Sequence, residues 1–212
     1  MTALLRSPAA LLGLGGVLLL VGGPLHPDGS GASVEEHLAS MFVAPTWDIS
    51  HLLLLAGAVL ALAGFVAARR DGVFGPRVTP LLPVVIAGWA LGVLDAVPHL
   101  LASHDHAHLV GGGPTPILDV HLVLQTVAVP AVGLTGALVA AAVAWSDRTV
   151  AAVALGAVGV LGGLGYAAAA LLVPLTWDVR YAALFPLQAG LAIWLVGTAV
   201  RLAARTRTPV PA

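Results

Sequence analysis

Six stretches of about twenty residues, each nearly free of charge, decide what this chain can fold into. An α-helix rises about 1.5 Å per residue, so about twenty apolar residues span the hydrocarbon of a bilayer. The stretches lie at about 8–25, 49–68, 80–102, 120–145, 149–173 and 179–203. The reading is an all-α polytopic integral membrane protein, one domain over 1–212, with six transmembrane helices in a compact bundle. Composition agrees: 59% of residues are hydrophobic and 9% charged, with a mean hydropathy of +1.00. A soluble domain carries about 25% charged residues. Glycines and alanines within the spans suit close helix–helix approach in lipid.

Several functions are excluded by residue types that are missing. The chain has no cysteine, which removes disulfides, iron–sulfur clusters, thiolate zinc sites and covalent haem attachment. It has no lysine, so no Schiff base forms. A net charge of −1 without a basic stripe argues against nucleic acid.

Orientation follows from arginine, because basic residues accumulate on the cytoplasmic side. With both termini inside, Arg6, Arg69, Arg70, Arg77, Arg148, Arg201, Arg205 and Arg207 lie inside and only Arg180 outside. The expectation is N-in, C-in, multi-pass in the cytoplasmic membrane, with the basic tail against anionic lipid. The first span ends in Pro24-Leu25-His26-Pro27, which lacks a small-x-small cleavage site and predicts an uncleaved helix. Eight of the ten acids, all but Asp71 and Asp147, fall outside or in the outer half. In the first outer loop, Ser33 with Glu36 predicts a capping box and a short interfacial helix.

The three inward spans begin alike, at Trp47-Asp48-Ile49, Leu118-Asp119-Val120 and Trp177-Asp178-Val179. Each aspartate is predicted to cap its helix, and the tryptophans to sit at the membrane interface. Three residues on, the first has His51 and the third Tyr181. Convergent capping and descent from repeated hairpins both account for the pattern.

The eight histidines are the anomaly, and all fall on the outer side. His26 ends the first span, His51 begins the second, His99 closes the third and His121 opens the fourth. At helical rise these four share one level within about a turn. Convergence of ligands from different helices is what a metal or haem site needs. His51, His99 and His121 are the expected ligands, with Asp95 and then His26 beside them. Asp95 and His99 are four apart and share a face; so are His121 and Gln125, while Tyr181 and Gln188 are seven apart. An aspartate inside a span costs about 2.5–3.5 kcal/mol to insert. Asp95 is therefore expected to face inward as ligand, hydrogen-bond acceptor for a histidine, proton relay or base. His104, His106 and His108 form a loop tract suited to metal capture, on one side if the segment is extended.

Two cofactor classes stay open, haem b and a copper or zinc ion. Gly57, Gly88, Gly92 and Gly133 are small positions that would make room for a macrocycle, and Arg180 would pair with a propionate or with Asp178 or Asp48. The expected function is redox, by electron transfer or small-molecule oxidation, with a quinone or extracytoplasmic redox partner. The alternatives are a zinc-dependent intramembrane hydrolase, a metal-ion or proton transporter, and a non-catalytic subunit or assembly factor of a membrane complex. The lipid bilayer is the expected partner, and an oligomer stays open. Polar groups confined to the outer half argue against a transport path.

Overall fold

The computed structural model describes Ser7–Arg205. Arg6 and Arg207, used above for orientation, and the tail beyond Arg205 lie outside the described residues. The described residues form helices joined by short connections, with no strand among them. Eight α-helices follow in order: α1 Pro8–Leu25, α2 Val34–Phe42, α3 Trp47–Asp71, α4 Leu82–Leu101, α5 His106–Gly111, α6 Pro116–Asp147, α7 Val150–Thr176 and α8 Ala189–Arg205. Six segments are long and apolar enough to cross a membrane. They contain α1, α3, α4, α6, α7 and α8, the last preceded by a 3-10 segment over Val179–Gln188.

The six pack as a ring in chain order, α1 on α3, α3 on α4, α4 on α6, α6 on α7, α7 on α8, and α8 back on α1. Short connections between antiparallel neighbours produce this order. Only Arg148 and Thr149 separate α6 from α7. Arg148 caps α6 in the left-handed region at φ 58°, and Thr149 caps α7 by accepting from the Ala152 amide at 3.3 Å. The ring is filled by Leu12, Phe65, Leu82, Val85, Val139, Trp194 and Leu195, all buried. Leucine and valine on the opposite helix faces stay exposed, as they must if lipid surrounds the bundle.

Glycine sets how closely the helices approach. A Cβ at Gly57 would lie 2.9 Å from Leu19 Cγ, and one at Gly88 would lie 2.6 Å from Thr135 Oγ1. At Gly92 it would strike Val132, and at Gly133 the Gly163 carbonyl. These four positions, expected above to make room for a macrocycle, are filled by neighbouring helices.

Four local expectations are corrected. Asp48 and Asp119 do not cap their helices: Thr46 and Thr115 hold the N-cap positions, and both aspartates sit inside the first turn. Pro116 at the first helical position starts α6 earlier than the apolar run suggests. Its free amides are satisfied instead by Asp105, whose Oδ2 accepts from Ile117 N at 2.7 Å and Leu118 N at 2.9 Å. Asp178 does cap, accepting from Arg180 N at 2.9 Å.

The segment holding His104, His106 and His108 is helical rather than a loop, a 3-10 turn over Ala102–Asp105 running into α5, so alternation does not align the three. Tyr181 and Gln188 lie in 3-10 geometry, where three residues per turn separates positions seven apart. Trp47 is buried, 2% exposed, while Trp177 is exposed.

Candidate metal centre

Four histidine rings form a continuous row at one end of the bundle. Centroids of His26 and His51 lie 4.7 Å apart, those of His51 and His99 4.4 Å, and those of His99 and His121 4.0 Å. Each comes from a different helix end, so chain topology alone brings them together.

His26 is the C-cap of α1. Its backbone is extended (ψ 126°), as a residue before proline prefers, and Pro27 follows it out of the helix. Its Nδ1–H donates to the Pro27 carbonyl at 3.2 Å.

His51 lies one turn into α3. Its ring stacks on Trp47 at 3.9 Å, and its Nδ1–H donates to the Trp47 carbonyl at 2.6 Å. Trp47 is in turn fixed by its indole N–H, which donates to Leu100 O on α4 at 3.1 Å, and by the edge of Phe42 at 4.8 Å. Ser50 Oγ also donates to Trp47 O, at 2.9 Å. Phe42 belongs to α2, whose capping box of Ser33 and Glu36 is formed. With Met41, Ala102 and Leu118 it builds a small apolar roof over the row.

A carbonyl oxygen only accepts, so these contacts assign the tautomers. In His26 and His51 the proton sits on Nδ1 and Nε2 is an acceptor; that of His51 accepts from His99 Nε2–H, a proton His99 must carry on Nδ1 instead in order to ligate through Nε2. Committing Nδ1–H to an oxygen acceptor is the usual way a ligating histidine is oriented. His51 Nε2 and His99 Nε2 face each other at 3.2 Å. One ligating nitrogen each from His26, His51 and His99 fall within 4.8 Å of one another. A tetrahedral ion with bonds of about 2.0–2.1 Å sets its ligand nitrogens roughly 3.3 Å apart. The His51–His99 pair already has that separation, and His26 needs a small approach.

His121 and Asp95 stand beside this trio. His121 Nδ1–H donates to Asp95 Oδ1 at 2.9 Å, with both residues buried. A carboxylate in an apolar bundle requires such a partner. The His121 ring lies nearly parallel to His99, at 11°. Of the roles open to Asp95, the geometry gives it that of acceptor, holding the fourth ring against the third. His104 donates locally to Leu101 O at 2.9 Å. Among the described residues the three-histidine grouping excludes His104, His106 and His108. Arg180 is taken up by Asp178, Nη2 to Oδ2 at 2.6 Å.

Sequence reasoning ranked His26 last and did not see the part played by Trp47. A signal for the second was available: Trp47 and His51 are four apart on α3, the spacing that stacks side chains. No known protein family, curated protein or solved structure matches the chain.

Proposed function

We propose that this is a multi-pass protein of the cytoplasmic membrane that binds one zinc or copper ion at its extracytoplasmic face, through His26, His51 and His99. The observation that carries the reading is the convergence of three imidazole nitrogens within 4.8 Å, with Nδ1–H of His26 and His51 committed to carbonyls. Neutral imidazole suits both metals. Three histidines leave a fourth position open, as in catalytic zinc sites. An ion there would polarise or deprotonate a bound water, and hydrolysis of a substrate from the outer leaflet is the reaction class that follows. With copper in the same ligands, small-molecule oxidation or handling of the metal for a partner follows instead.

Haem fits these residues less well. His51 and His99 point their Nε2 atoms at each other at 3.2 Å, which leaves no gap between them for a macrocycle. The rings contact one another directly, and the expected glycine space is filled by helices. Transport is also less well supported. Seven polar side chains are buried among the described residues, and all but Thr198 belong to the histidine half.

Elemental analysis of detergent-purified protein tests the site. About one zinc or copper per chain supports it, and no bound metal after zinc or copper reconstitution ends it. Orientation has a clean test because the chain has no cysteine. Ser30→Cys should react with an impermeant thiol reagent from outside, and Arg77→Cys only after the membrane is opened; the reverse would invert the topology.

A further inference from the structure

The opposite end of the bundle carries a second feature that the metal reading leaves unused. An open groove of about 600 Å³ runs between α3 and α4, lined by Val66, Arg69, Arg70, Thr79 and Ile86. Its wall is amphiphilic in a fixed order. Arg69 and Arg70 lie three and four residues after Val66 and share its face of α3. Ile86 lies seven residues beyond Thr79, roughly 10 Å deeper along the bundle. The groove is thus cationic and hydroxylated at the mouth and apolar at depth. The connecting hairpin adds Arg77, and Asp71 is the only acid from Arg69 to Thr79, giving this rim a net charge of +2 (three arginines less one aspartate).

Arg70 is largely satisfied by Asp71, at 2.7 Å and 3.1 Å. The Arg69 carbonyl accepts from Gly72 N at 3.3 Å, but its guanidinium makes no hydrogen bond or ion pair among the described residues. Val66 is 49% exposed, a large aliphatic surface beside an unpaired guanidinium. A phosphate with an attached acyl chain matches both halves of that surface. A free phosphate would use only the rim.

The structure assigns this groove to an anionic phospholipid of the inner leaflet, its phosphate on Arg69 at the level of Thr79 and one acyl chain along Val66 and Ile86. This rests on the membrane reading and not on the metal site. Each basic residue near an anionic surface contributes about 1 kcal/mol, so loss of Arg69 should lower retention about five-fold.

The test is native mass spectrometry of the full chain released from nanodiscs of equal phosphatidylglycerol and phosphatidylcholine. The expected result is selective retention of phosphatidylglycerol, reduced about five-fold in Arg69→Gln, reduced also in Val66→Trp, which fills the apolar floor, and retained in Arg148→Gln, an arginine at the same end outside the groove. Equal retention of the two lipids, or equal loss in Arg148→Gln, overturns the assignment. Glycerol phosphate, the headgroup without chains, should not displace the lipid at millimolar concentration; if it does, the site is one for phosphate and the acyl assignment fails. Protein that stays soluble without detergent refutes the membrane reading itself. Protein that needs detergent but shows no lipid preference refutes only the groove.

Discussion

The two ends of the bundle hold themselves together by different chemistry. At the arginine end Asp147 is clamped by Arg201, at 2.7 Å, and by Arg205, and Thr149 donates to it as well. Arg205 is 57% exposed and Arg70 61%, so their ion pairs are in reach of water, weak and salt-screened, while Arg201 at 26% and Asp147 at 11% are more sheltered. At the histidine end the contacts are buried and directional: Trp47 to Leu100, His51 to Trp47, Asp105 to the α6 amides, His121 to Asp95. A long flexible cation tolerates a displaced partner. A buried imidazole held by one carbonyl does not. The second arrangement defines positions to a fraction of an ångström, which a ligand set needs, and the first only anchors a helix end.

Variants at each end sharpen that contrast. His99→Ala should have the largest effect, taking metal content from about one per chain to near zero, since it removes one of the three ligand rings. Retained metal in that variant would remove His99 from the ligand set. Asp95→Ala comes next. It strips the acceptor from a buried N–H and should destabilise the detergent-solubilised protein by roughly 2–3 kcal/mol, read as a lowered midpoint of thermal unfolding. Asp147→Ala, its counterpart at the arginine end, should cost about 1 kcal/mol or less. Equal losses at Asp95 and Asp147 would erase the distinction between the ends.

Trp47→Phe keeps an aromatic ring but deletes the indole N–H and part of a buried side chain, so a loss of about 1 kcal/mol or more in stability and a modest loss of metal affinity, read by titration with zinc, are expected. The smallest effect concerns pH. The Arg180 guanidinium holds the Asp178 carboxyl below its usual range. Stability from this pair is present above pH about 4 and lost as pH falls through the depressed folded value. Unfolding midpoints between pH 5 and 3 should decline slightly less steeply in Asp178→Asn.

The helices were legible because each apolar run is long, and length with hydropathy fixes a span. The depth of the histidines was legible too, because rise per residue is constant. What was not legible is rotation about each helix axis. His121 is at the same level as His99 but turns its Nδ1 to Asp95, while His26, placed last among the expected ligands, is carried onto His51 by the extended backbone that Pro27 imposes. Capping failed for a related reason. Pro116 and Thr46 moved the helix starts outward by a few residues, and the cap of α6 came from Asp105, eleven residues before Pro116 and on another element. No local pattern reports a partner that the tertiary fold supplies.

The ring order of the helices also sets a sequence of events. His26, His51 and His99 belong to α1, α3 and α4, which are made first and already touch one another in order. All three nitrogens are therefore on the chain before α7 and α8 exist, and an ion could be captured by half a protein. The later helices then act as a clasp: α6 brings His121 onto Asp95, and α8 returns to α1 to close the circle. Synthesis from one end therefore brings the three helices that carry these histidines together before the ring of six is closed.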